Sequence, residues 1–206
     1  VLPKIAIINY NMGNLASVKN SCRKLGFEAH ITSDPEAIKS FDKIILPGVG
    51  AFLDAMKHLK ENGMDEALKE AAKSKPFFGV CLGMQLMFDR GFEHEETQGL
   101  GLIKGEVVKF DQSILGSERK IPHMGWNKLF IQKNSVLFEG LNDEFYLYFV
   151  HSYHVEAKRE DTLASTHYGY EFAAMVEKEN LCGIQPHPEK SGDTGLKILK
   201  NFLEKK

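Results

Sequence analysis

The chain has 206 residues, with 26 Lys and Arg against 28 Asp and Glu for a formal charge of −2, and 43% of its residues are hydrophobic and 26% charged. On a prior of ~100 to 200 residues per domain this is one domain spanning 1–206; the composition excludes disorder, and no global excess of positive charge exists to bind nucleic acid or an anionic membrane. The longest apolar stretches, such as Ile5 to Ile8, fall far short of the ~18 residues of a membrane span, and Lys4 opens into a strand-like run with no signal-peptide cleavage site.

Lys4 to Ile8 reads as a buried strand. Leu15, Val18, Cys22 and Leu25 then recur at helical spacing, and Gly26 ends that helix. Glu28 to Ile31 reads as a second strand, Ser33-Asp34-Pro35 as the cap of a short helix, and Lys43 to Leu46 as a third strand. Pro47-Gly-Val-Gly50 breaks the chain before helical segments at Phe52 to Glu61 and Asp65 to Lys73. Pro76 to Val80 reads as a fourth strand, with a helix beginning near Met84. Strands alternating with helices predict an α/β fold with an open, largely parallel central sheet flanked by helices. Beyond Leu100 the runs Gly105 to Phe110, Trp126 to Ile131, Phe145 to Val150 and Phe172 to Val176 lie between Gly, Asn and Asp clusters, which predicts an antiparallel extension. Leu181 to Gln185 reads as a last strand and Thr194 to Leu203 as a closing helix.

Cys22, Cys81 and Cys182 cannot all pair and show no CxxC spacing, so a reducing cytoplasm is expected. Cys22 falls on an apolar helix face and Cys182 inside a strand. Cys81 differs, because Gly79-Val-Cys-Leu-Gly83 joins a strand to a helix with glycines two before and two after the thiol. That is the pattern of a nucleophile elbow with sulfur in place of oxygen. A base is available in His187, within Gln185-Pro-His-Pro-Glu189 after the last strand. In an extended segment Glu189 would be a neighbour of His187 rather than its direct clamp, unless the chain bends back. Taken alone, the segment fits a proline-stiffened surface turn equally well. The glycines around Val49 could turn an N–H towards a developing oxyanion, with Leu82 N–H as the second donor, although glycine turns after strands are common. His151 and His154, three apart in a strand-like run, would point to opposite faces and make poor joint metal ligands, and nothing in the sequence requires a cofactor.

Together these segments resemble the class I (triad-type) glutamine amidotransferases over essentially the whole chain. The segments that carry the likeness are Gly79 to Gln85 and His187-Pro-Glu189. Pro47 to Gly50, Pro122-His-Met-Gly-Trp-Asn127 and Tyr148 to Tyr153 are most similar to the branch formed by the glutaminase subunits of imidazole glycerol phosphate synthases. The resemblance implies a cysteine-triad glutaminase with Cys81 as nucleophile, His187 as general acid/base and Glu189 as its partner. It implies backbone oxyanion donors at Val49 and Leu82, and a glutamine site formed by Gly48, Gln85, Glu93, Ser152 and Tyr153. It also implies a barrel-type synthase (cyclase) subunit as heterodimer partner, docked on Met124, Trp126, Tyr148 and Lys190. Two departures stand out: Asn9-Tyr-Asn11 replaces the family's usual Asp-Tyr-Gly, and Pro186 replaces the aromatic before the histidine. These changes would also fit a paralogue feeding a different synthase, and a stand-alone cysteine hydrolase is a further alternative.

Overall fold

The computed structural model describes residues 1–206. Its first half contains β1 (Ile5–Ile8), α1 (Leu15–Lys24), β2 (Ala29–Thr32), β3 (Lys43–Leu46), α2 (Phe52–Glu61), α3 (Met64–Ala71), β4 (Phe77–Val80) and α4 (Leu82–Leu86). The second half is richer in strands than the sequence suggests. It contains β5 (Phe88–Gly91), β6 (Thr97–Gln98), β7 (Ile103–Lys109), α5 (Gln112–Leu115), β8 (His123–Ile131), β9 (Phe145–His151) and β10 (Tyr153–Ala157). It ends with β11 (Thr162–Tyr168), β12 (Tyr170–Lys178), β13 (Leu181–Ile184) and α6 (Gly192–Glu204).

The strands β2, β1, β3, β4 and β13 lie side by side in that order and all run parallel. Antiparallel pairing begins at β12 and continues through β10 to β7; β5 then pairs parallel to β7 and antiparallel to β6. An arm of β8 and β9 branches from β12 through β11.

Alternation along the parallel strands explains why they are apolar throughout. Ile5 and Ile7 of β1 join one hydrophobic cluster with Val18 and Cys22 of α1 and Ile198 and Phe202 of α6. Ala6 and Ile8 face the opposite cluster, with Met56 and Leu59 of α2 and Leu68 of α3. Successive side chains point to opposite faces, so a sheet covered on both sides must be hydrophobic at every position. The carboxyl ends of β1, β3, β4 and β13 consequently emerge along one edge. That edge of an open α/β sheet is where sites form.

One expectation needs correction. The run from Phe149 to His154 is not a single strand: β9 ends at His151, Ser152 bends the chain, and β10 begins at Tyr153 in another part of the sheet. The bend cancels the alternation that would set His151 and His154 on opposite faces. Both are buried against Phe110, with ring centroids 5.1 and 5.0 Å away. His154 meets the Tyr170 hydroxyl and His151 meets His123, and no group of three or more His, Cys, Asp or Glu side chains is placed to hold a metal ion.

Candidate active site

Cys81 sits between β4 and α4 with φ 55° and ψ −116°, a strained conformation for a residue with a side chain. Its N–H donates to Ile184 O of the neighbouring β13 at 2.8 Å, which fixes the turn. The flanking glycines are required by space. A Cβ on Gly83 would stand 1.7 Å from Leu46 O, and one on Gly79 would stand 2.5 Å from Met87 Sδ and 2.8 Å from Gly83 O. The elbow expected from Gly79 to Gly83 is therefore present. Its helix begins at Leu82, ahead of the position read from sequence, and is only five residues long, so its dipole is small.

His187 and Glu189 form a closer pair than an extended segment allows. Residues Pro188–Lys190 make a 3-10 turn, and His187 Nδ1–H donates to Glu189 Oε1 at 2.7 Å, with both side chains buried. The expectation of a mere neighbour is thus corrected: the prolines bend the chain back, and Glu189 clamps the ring directly. His187 Nε2 has no hydrogen-bond partner. Burial works against the imidazolium, but the adjacent Cys81 and Glu189 outweigh it and raise the His187 pKa to about 9. Pro186 costs nothing here. The ladder bond is taken by Gln185 N–H to Ala174 O (2.8 Å), and His187 N–H goes to Tyr148 O (2.9 Å), so the N–H that proline lacks is not called upon.

A cleft of about 220 Å³ opens over Cys81, and Val49, Leu82, Gln85, Glu93, Ser152 and Tyr153 all line it, joined by Gly50, Val150 and His151. Gly48 stands back from this lining; it lacks a side chain because a Cβ there would fall 2.0 Å from the Tyr10 hydroxyl. Tyr10 is a site residue that sequence reasoning missed. Its buried hydroxyl donates to Pro47 O at 2.6 Å, and burial and the neighbouring Cys81 hold the phenol well above its ordinary pKa. Its position just after β1, at the same sheet edge as the other loops, was the available signal. Asn11 is accommodated where the family has glycine, because its φ is 65° and asparagine tolerates the left-handed region. Glu93 Oε2 accepts from Phe52 N–H at 3.0 Å, tying the cleft wall to the first turn of α2.

In comparison with known proteins, residues 6–206 match the model of the family described as Glutamine amidotransferase class-I. The chain belongs to the class I glutamine amidotransferase family. It is accordingly an enzyme of that class. Among curated relatives of this amidotransferase, the imidazole glycerol phosphate synthase subunit HisH of Sulfurimonas denitrificans is 58% identical, with 97% of each chain covered. The HisH subunit of Wolinella succinogenes is 54% identical, covering 97% of this chain and 98% of that protein. The fold is shared with a chain in the solved PurLQS structure from Thermotoga maritima, at a TM-score of 0.76 and 20% identity, covering 98% of each.

The residues expected to dock a partner lie together on the amidotransferase surface. Met124 and Trp126 are 62% and 57% exposed on β8, which excludes a core role for the sole tryptophan. Trp126 meets the half-buried Tyr148 of β9 edge-on at 6.0 Å, and Lys190 is exposed as the last residue of the turn that carries Glu189. Val49 lines the cleft and is also 45% exposed. No helix is long and apolar enough to cross a membrane.

Proposed function

We propose that the chain is the glutaminase subunit of an imidazole glycerol phosphate synthase. It hydrolyses L-glutamine to glutamate and ammonia and passes the ammonia to a barrel-type cyclase subunit, in a heterodimer serving histidine biosynthesis. The observation that carries this reading is the near-full-length identity to proteins named as that subunit. The elbow that presents Cys81 to the cleft, with the buried His187–Glu189 pair next to that thiol, supports it.

His187, held through Nδ1 by Glu189, takes the Cys81 proton at Nε2, and the thiolate adds to the glutamine carboxamide carbon. The backbone N–H groups of Val49 and Leu82 stabilise the oxyanion. His187 returns the proton to the departing nitrogen, ammonia leaves, and a glutamyl thioester remains on Cys81. Water, deprotonated by His187, then adds to the thioester; the thiolate departs with glutamate released. Gln85 donates both carboxamide N–H groups inside the protein, to Tyr153 O and Gln185 Oε1, so only its oxygen is left for substrate. An oxygen acceptor beside the Glu93 carboxylate suits the substrate ammonium, and Gly48, Ser152 and Tyr153 complete the site. Ammonia must reach the acceptor unprotonated, which favours a closed route into the docked cyclase, where imidazole glycerol phosphate and the aminoimidazole carboxamide ribonucleotide are made.

The test is glutamate release by the chain alone, with the histidine-pathway barrel subunit, and with that subunit plus its nucleotide substrate. Stimulation by the partner is expected. Full activity of the chain alone would instead indicate the stand-alone hydrolase, and indifference to this partner would indicate a paralogue serving another synthase.

A further inference from the structure

Besides His187, a second buried side chain addresses the nucleophile. Gln185 is fully buried and sets Nε2 3.6 Å from Cys81 Sγ. A carboxamide could offer sulfur either an N–H or an oxygen, with opposite effects on a thiolate, so its orientation decides its role. That orientation is dictated by neighbours. The Tyr153 carbonyl can only accept; it takes an N–H from Gln85 Nε2 at 3.1 Å, so the nitrogen end of Gln85 must face it. The other N–H of that group reaches Gln185 Oε1 at 3.0 Å. With its oxygen occupied, Gln185 is left to present N–H to the sulfur.

The same carbonyl accepts from His151 Nδ1 at 2.8 Å, which places the His151 proton on that nitrogen. His151 Nε2 is then an acceptor and receives His123 Nδ1–H at 2.9 Å, while His123 Nε2 receives Asn127 Nδ2–H at 3.1 Å. Burial pushes the pKa of His123 and His151 down to about 4 and about 3, so both rings are neutral near pH 7. The donor and acceptor sense is thus defined at every link from Asn127 in β8 to Cys81.

We propose that Gln185 is a positioning residue for the glutaminase reaction: it donates a hydrogen bond to the Cys81 thiolate and aims it at the cleft, its donor sense enforced by Gln85 and the Tyr153 carbonyl. This rests on the function proposed above. A thiolate accepts far better than a thioester sulfur, so Gln185 favours the sulfur at the two moments when it carries charge, as attacking group and as leaving group. No proton moves through Gln185.

The experiment measures iodoacetamide alkylation of Cys81 against pH, located by mass spectrometry, together with glutamine hydrolysis by the full chain with its barrel partner. Gln185→Leu and Gln85→Leu are compared with the native chain. The other titratable groups facing Cys81, His187 and Tyr10, are unchanged in both variants. Gln185→Leu should move the alkylation midpoint up by about one pH unit and lower kcat about tenfold with KM little changed, as expected for loss of one hydrogen bond to a charged group. Gln85→Leu keeps Gln185 but frees its flip, and should shift the midpoint in the same direction by less, which also tests the proposal if Gln185→Leu fails to fold. Profiles for both variants that match the native one would overturn it. Alkylation needs no glutamine, so a native chain that alkylates as described yet releases no ammonia would overturn the proposed function instead.

Discussion

His187 Nδ1 lies 2.7 Å from Glu189 Oε1 although a single proline separates the two residues in the chain. The contact is local in sequence, and it is created by the 3-10 turn at Pro188–Lys190. Ser191 secures that turn by donating to His187 O at 2.5 Å and accepting from Tyr148 N–H at 2.9 Å. A side chain so anchored keeps one tautomer. His187→Asn should therefore cost more than ~10³-fold in kcat for glutamine hydrolysis, whereas Glu189→Gln, which retains an acceptor oxygen, should cost about 10²-fold. A larger loss for Glu189→Gln would reverse the two roles.

Cys81 should be the only thiol needed for turnover. Burial pushes the Cys22 and Cys182 thiols up to about 12, which leaves them unreactive near neutral pH. Cys81→Ala should abolish hydrolysis while the circular dichroism spectrum stays native. Cys22→Ser and Cys182→Ser should keep native kcat and lower Tm, because each puts a hydroxyl into a packed site.

Stability should peak near pH 6.5. His187 is raised from 6.5 to about 9, so the folded state holds a proton that the unfolded state has lost, and its contribution, complete below pH 6.5, disappears as pH rises through about 9. His123 and His151 are lowered from 6.5 to about 4 and about 3; their neutral forms favour the fold above pH 6.5, and that contribution fades as pH falls through those values. Tm measured from pH 4 to 9 should trace both slopes. Cys81→Ala should flatten the alkaline one, because Cys81 is among the groups that hold the His187 proton.

Gly83→Ala should cost more than ~3 kcal/mol, well above the ~1 kcal/mol of a typical substitution, because its Cβ would meet the Leu46 carbonyl at 1.7 Å. Gly63→Ala is the control. Nothing lies within 4 Å of its Cβ, and it pays only for its left-handed φ of 80°. Equal Tm losses in the two variants would show that the elbow yields to the added methyl and that close approach does not make Gly83 necessary.

Trp126→Ala should leave Tm nearly unchanged, since the ring is 57% exposed. It should weaken binding of the barrel subunit by about 30-fold, the ~2 kcal/mol of an interface hot spot. Titration calorimetry would check both partners at once. Unchanged affinity would remove the β8 surface from the proposed interface.

The parallel half was legible because periodicity and burial agree there: Lys43–Leu46 and Phe52–Glu61 match the sequence reading at both ends. The segments that escaped notice, Phe88–Gly91, Thr97–Gln98, Tyr153–Ala157 and Thr162–Tyr168, are short or carry polar residues on half-covered faces, so alternation is weak. At the site, glycine spacing exposed Cys81, and a Pro-His-Pro segment exposed His187. Gln185 and Tyr10 carry no diagnostic spacing, and their one signal is a place at the end of a strand. Their importance comes from where β13 and β1 end in space, which depends on strand order rather than on neighbours in the chain.

The close approach of Gly83 to Leu46 O welds the nucleophile elbow to the end of β3. Past that weld, Pro47 O is gripped by Tyr10, Gly48 is packed beneath the same phenol, and Phe52 N–H is pinned by Glu93 on the far side. Between these anchors lie the exposed Val49 and Gly50, whose φ is 117°. A rotation there would pivot the peptide proposed as oxyanion donor without carrying Cys81 along. The amide proposed as oxyanion donor thus belongs to an exposed residue between fixed neighbours, while the sulfur it would serve is carried on a separately anchored turn.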